Sequence, residues 1–185
     1  MTRLHIDVRG IVQGVGFRPF VHRLVKRHGL VGWVRNSPEG AELELEGEAG
    51  ELSAFLRELE AEAPPLALIE GVEARALHGG EHFTGFRIVP SERGEKMRTL
   101  VSPDAGICPD CLRELLTPGD RRYRYPFINC TNCGPRFTII RSLPYDRPAT
   151  SMDAFPMCGA CAAEYADPGD RRFHAQPDAC FSCGA

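Results

Sequence analysis

The sequence predicts an α+β fold in two parts: a βαββαβ sandwich over residues 1–90, then a small, irregular, cysteine-rich domain over residues 105–185. Three observations predict it. Apolar residues alternate, or recur at helical spacing, throughout the first part, and the second shows little such period. All eight cysteines and ten of the fifteen prolines fall after residue 100. Between the parts, Pro90 to Arg98 is polar and lacks an apolar period, so residues 91–104 read as a linker.

In the first part Leu4, Ile6 and Val8 alternate with polar neighbours, as a strand with one buried face requires. A glycine-rich turn follows. From Phe17, residues Phe20, Val21, Leu24 and Val25 recur at three and four, with Pro19 in the first turn and Gly29 as the stop, which predicts a helix. Leu30 to Asn36 predicts a second strand, Ser37-Pro-Glu-Gly40 a turn, and Ala41 to Glu46 a third strand. Leu52, Phe55, Leu56 and Leu59 predict a second helix ended by Pro64-Pro65, and strands near Ile69 to Ala76 and Phe83 to Val89 close the unit. This order is the ferredoxin-like split βαβ sandwich. Parallel pairing of the inner strands is expected to set the first turn at a strand's carboxyl end beside a helix amino terminus, a favoured ligand position. Trp33 is expected to pack on the sheet beside that position.

The cysteines form four C-x-x-C knuckles, Cys108/Cys111, Cys130/Cys133, Cys158/Cys161 and Cys180/Cys183. The second pair of knuckles repeats the first at a shift of fifty positions, and Pro118-Gly-Asp-Arg-Arg122 recurs as Pro168-Gly-Asp-Arg-Arg172. Residues 105–134 and 155–185 are therefore two copies of one module. Two residues between thiolates let both sulfurs reach one ion, and a second knuckle completes a tetrahedron, so eight thiolates make two closed sites. Zinc suits an all-sulfur tetrahedron, and iron occupies such sites too. Disulfides need an oxidising compartment, and the charged, alternating amino terminus has no signal-peptide character. Each half-repeat closing its own site is the favoured pairing, with crossed pairing left open by spacing alone. Closed sites leave no position for a reacting water, which points to scaffolding. His174 reads as a hydrogen-bonding or surface residue rather than a ligand. Arg121, Arg122, Arg171 and Arg172 read as ion-paired or solvated charges before phosphate contacts.

Charge narrows the function classes. With 22 basic and 25 acidic residues the chain is nearly neutral, and neither half carries the surplus of a dedicated nucleic-acid binder. No apolar run approaches the roughly 20 residues that cross a bilayer, so the expectation is a cytoplasmic protein without a membrane partner.

The first turn, Gly10-Ile-Val-Gln-Gly-Val-Gly-Phe-Arg18, carries the chemistry. Its glycines let the backbone curl so that the amides of Gln13, Gly14, Val15, Gly16, Phe17 and Arg18 point into one concavity, a cradle for a phosphate. Arg18 at the rim can bind two phosphoryl oxygens through its planar fork. Alone, such a turn is most often only a turn. Paired with Gly32-Trp-Val-Arg-Asn36, however, Val8 to Arg18 closely resembles the acylphosphatase family. The resemblance implies that the loop amides and Arg18 bind phosphate and that Asn36 orients the attacking water. A neutral amide fits that role because it accepts from and donates to water without repelling an anion. One departure is Ala41-Glu42 after Gly40, where family members usually carry a valine; it allows a hairpin register one residue off.

Phe17-Arg-Pro-Phe-Val21, the run from Arg122 to Ile140, and Arg172-Phe-His-Ala-Gln-Pro177 look like the hydrogenase-maturation carbamoyltransferase family HypF, across essentially the whole chain. That resemblance implies a role in making the cyanide ligands of nickel–iron hydrogenases, with carbamoyl phosphate as substrate and the protein HypE as partner. It also implies an amino-terminal portion of a longer protein, with ATP used only in domains that follow. Hydrolysis of the acyl phosphate is expected here, and complete transfer is not. Two other classes compete: a free-standing acylphosphatase with an accessory zinc unit, and a zinc-dependent nucleic-acid or protein binding module.

Overall fold

The computed structural model describes residues 1–80, 82–91 and 102–184. Most of the linker expected over 91–104 lies outside the described residues. Strands β1 (Thr2–Ile11), β2 (Val31–Ser37), β3 (Gly40–Gly47), β4 (Leu68–Leu77) and β5 (Phe86–Ile88) form one sheet in the order β4-β1-β3-β2-β5. Helices α1 (Phe17–Arg27) and α2 (Ala49–Ala61) bury their apolar stripes against it. Alternation decides which strand residues face them: Ile6 and Val8 of β1, Val34 of β2, and Leu43 and Leu45 of β3 meet Val21, Leu24, Leu52, Phe55 and Leu59 in one core. Each such large side chain contributes about 1.5–3 kcal/mol by leaving water.

Two expectations are corrected. The inner strands β1 and β3 pair antiparallel, not parallel; β1 and β2 run the same way but β3 lies between them, and the one parallel pair is β2 with the short edge strand β5. The glycine turn nonetheless sits between the end of β1 and the start of α1, because the chain is continuous there. Trp33 does not sit beside that turn. It alternates with the buried Val34 and Asn36, facing away from the helices with Arg35 stacked 5.1 Å from its ring. The hairpin register is unbroken, from Val31 opposite Glu46 to Ser37 opposite Gly40, so Ala41 is accommodated opposite Asn36 without a slip.

The second half is built from helix α3 (Pro109–Leu116), helix α4 (Gly159–Ala166) and short 3-10 turns. Cys108 and Cys158 are the amino-terminal caps of α3 and α4, and Pro109 occupies a first-turn position where its missing N–H costs nothing. Tyr125, Ile128, Ile139 and Met152 pack around the first cysteine set in a second, smaller core. No helix among the described residues is long and apolar enough to cross a membrane.

Candidate functional site

Gly14 and Gly16 shape the turn. Both have left-handed backbones, φ 74° and 79°, and Gly16 caps α1. A side chain would also have no room: a Cβ on Gly14 would lie 2.7 Å from Pro135 and Tyr145, and one on Gly16 would lie 3.2 Å from Thr131. The amino end of α1 carries no side-chain cap bond and no acidic residue in its first turn. Its free amides and the positive end of its dipole are thus left for an anion.

Those glycine contacts reveal that the cysteine-rich half covers the turn. A small cavity of about 20 Å³ is enclosed by Gly14, Gly16, Phe17 and Arg18 from below and by Thr131, Tyr145 and His174 from above. Arg18 and His174 also line a wider cleft of about 820 Å³, which runs past Asp146 and Tyr165 to Pro90 and Ser91. Arg18 is 7 % exposed, and its Nη2 donates to Asp146 Oδ1 at 2.8 Å, its only ion pair among the described residues. Burial, with the Arg18 cation second, pushes the His174 imidazole down to about 4. His174 is therefore neutral near pH 7 and adds no charge to the pocket.

Of the six loop residues that sequence assigned to the cradle, Gly14, Gly16, Phe17 and Arg18 line this cavity; Gln13 and Val15 do not. Val15 points into the core. Gln13 is fully buried and acts as a strut: its Nε2 donates to the carbonyls of Ser37 and Gly40, both at 2.9 Å, and its Oε1 accepts from the Tyr145 backbone N–H at 3.1 Å. That side chain ties the turn both to the hairpin end and to its roof. Asn36 adjoins this hairpin end on the inner face of β2 and is 1 % exposed, but the lining of neither cavity includes it. Both polar atoms of its amide lack a hydrogen-bond partner among the described residues. Such an orphan costs about 1–3 kcal/mol, which a bound polar group would recover.

The cysteines gather into two sets, Cys108/Cys111/Cys130/Cys133 and Cys158/Cys161/Cys180/Cys183. Each half-repeat thus gathers its own set, the favoured pairing over the crossed one. Sulfurs lie 3.6 Å apart in Cys108–Cys130 and Cys161–Cys183, and 3.8 to 3.9 Å apart in Cys130–Cys133, Cys158–Cys180 and Cys180–Cys183. A disulfide would bring sulfurs to about 2.05 Å. A tetrahedron of zinc–sulfur bonds of about 2.3 Å has edges of about 3.8 Å, so both sets fit zinc.

The acylphosphatase family model matches residues 4–88, and the HypF finger model matches residues 107–140 and 157–185. The carbamoyltransferase HypF of Rhodobacter capsulatus is 52 % identical over 184 residues, which is all of this chain and 24 % of that protein. The chain belongs to the HypF family. A solved full-length HypF in the phosphate- and nucleotide-bound form matches 99 % of the chain and 24 % of its own length, at 53 % identity and a TM-score of 0.90. Within this HypF-family chain, 89 residues are 40 % identical to 93 % of the acylphosphatase of Caldivirga maquilingensis. The chain spans about a fifth to a quarter of the length of its HypF relatives.

Sequence reasoning missed Tyr145, Asp146 and Thr131, and placed His174 at the surface or in an ordinary hydrogen bond. Tyr145 and Asp146 lie between the two finger repeats, outside every motif, and reach the loop across 132 and 128 residues of chain. No local pattern carries such a contact.

Proposed function

We propose that the turn from Gln13 to Arg18 binds the phosphoryl group of carbamoyl phosphate and hydrolyses it, as the first step of a carbamoyltransferase acting in nickel–iron hydrogenase maturation. The observation that carries this reading is the convergence on one cavity of a glycine cradle, the uncapped start of α1 and the buried Arg18. Carbamoyl phosphate is a mixed anhydride with a good leaving group. The site has only to hold the dianion, neutralise charge growing on the phosphoryl oxygens and aim a water in line. Loop amides and Arg18 serve the first two needs, with the phosphate sharing or replacing the Asp146 carboxylate on Arg18. The amide of Asn36, buried and without a hydrogen-bond partner among the described residues, serves the third. Water attacks phosphorus, the bond from phosphorus to the carbamoyl oxygen breaks, and carbamate and inorganic phosphate leave.

Residues 1–90 form the hydrolytic unit in this reading, and residues 105–185 form the two-zinc unit that roofs it. ATP and HypE, the nucleotide and partner of the family, act beyond this chain. The roof of Thr131, Tyr145 and His174 favours a small acyl group, which separates a carbamoyl phosphate module from a general acylphosphatase. Phosphate release measured with carbamoyl, acetyl and benzoyl phosphate in competition tests this. Carbamoyl phosphate and the equally small acetyl phosphate are expected to be consumed ahead of benzoyl phosphate; equal consumption of all three makes the chain a general acylphosphatase, and no release from any of them removes the assignment.

A further inference from the structure

The two finger repeats exchange arginines. Arg121, in the first repeat, donates through Nη1 to Cys161 Sγ of the second repeat at 3.1 Å and pairs with Glu164 through Nη2. Fifty positions on, Arg171 donates through Nη1 to Cys111 Sγ of the first repeat at 2.9 Å and pairs with Glu114. Among the described residues, neither reaches a sulfur of its own repeat. The next arginines continue the exchange: Arg122 pairs with Glu164 and, at 2.8 Å, with Asp178, while Arg172 pairs with Glu114 and lies 3.5 Å from the same Asp178 oxygen. Asp178 corresponds to Ile128 in the first repeat, so one buried carboxylate serves both copies. Residue i touching residue j while j's counterpart touches i's is the contact pattern of a two-fold dimer, here within one chain.

Four thiolates around one divalent zinc leave a site with two net negative charges. Donors to the sulfurs spread that charge and hold the thiolates in place, and groups of this kind govern metal affinity about 10- to 100-fold. Here the charged donor to each site comes from the opposite repeat. We propose that Arg121 and Arg171 are positioning residues for each other's metal site, so that zinc retention in one finger depends on the guanidinium of the other. This goes beyond scaffolding by single fingers, because neither site is complete until both repeats have folded together.

The test is a chelator challenge of the zinc-loaded chain, with exposed thiols trapped by alkylation and located by peptide mass spectrometry. In Arg171→Gln, Cys108, Cys111, Cys130 and Cys133 are expected to become labelled about tenfold faster, with a smaller change in the second set. Arg121→Gln is expected to reverse the order. A variant that weakens its own repeat's set, or neither set, overturns the proposal. If both glutamine variants lose both sets together, Arg121→Lys and Arg171→Lys, which keep the charge but not the fork, decide: the same crossed order supports the exchange and uniform labelling refutes it.

Discussion

Arg18→Ala is expected to lower acyl-phosphate hydrolysis by about 10³-fold or more, the loss seen when a single group that stabilises transition-state charge is removed. The size follows from burial. Arg18 is nearly enclosed and lines the cavity above Gly14 and Gly16, where charge is poorly screened, and no other arginine or lysine lines that cavity among the described residues. Arg18→Lys retains the charge but loses the planar fork, and should recover only part of the rate. The fold should persist, because the core of the first half lies in Ile6, Leu24, Leu43, Phe55 and their neighbours, not in this guanidinium. Steady-state phosphate release, with the circular dichroism spectrum as a control for folding, checks both points. Near-normal turnover in Arg18→Ala would refute the assignment.

Zinc removal is expected to unfold the second half and leave the first standing. Among the described residues, seventeen buried ones form the first core, against eight in the second, three of them cysteines, so the second is not expected to hold its shape by apolar burial. Structural zinc supplies roughly 10–16 kcal/mol in small fingers, comparable to the whole stability of a domain. Chelation should therefore expose the chain beyond about residue 102 to protease while a fragment near residues 1–90 survives. Equal resistance of both halves with and without chelator would contradict this. The roof should go with the metal: Tyr145, Asp146 and Thr131 are expected to leave the turn, and the pocket to lose the wall they form.

Much of this was legible in the sequence because it is local. Alternation of Leu4, Ile6 and Val8 gave β1, the period through Leu24 gave α1, and the shift of fifty positions gave two equivalent cysteine sets. The left-handed glycines at 14 and 16 were legible as a curl. What escaped were contacts between distant segments. Residues 135–154 sit between the repeats without a period of their own, and they place Tyr145 and Asp146 on the turn. The side chain of Gln13 was equally opaque, because a glutamine in a loop can face a ligand or brace the chain, and here three carbonyl and amide partners brace it. The β2–β3 hairpin was legible, but the antiparallel pairing of the inner strands β1 and β3 escaped. Periodicity reports which face is buried, and it does not say which strand lies alongside. The two arginines after each Pro-Gly-Asp were read as ion-paired or solvated charges before phosphate contacts, and ion pairs are what they form; their crossing from one repeat to the other needed coordinates.

The central claim is that main-chain amides at the start of α1, with Arg18, grip a phosphoryl group beneath a roof lent by the zinc half. A crystal of the zinc-loaded chain soaked in phosphate tests it most directly. The account predicts an anion held by the amides between Gln13 and Arg18 and by the Arg18 guanidinium, with Asp146 sharing or giving up its hold on Nη2. Phosphate bound elsewhere on the molecule, with that turn empty and the Arg18–Asp146 pair intact, would contradict it.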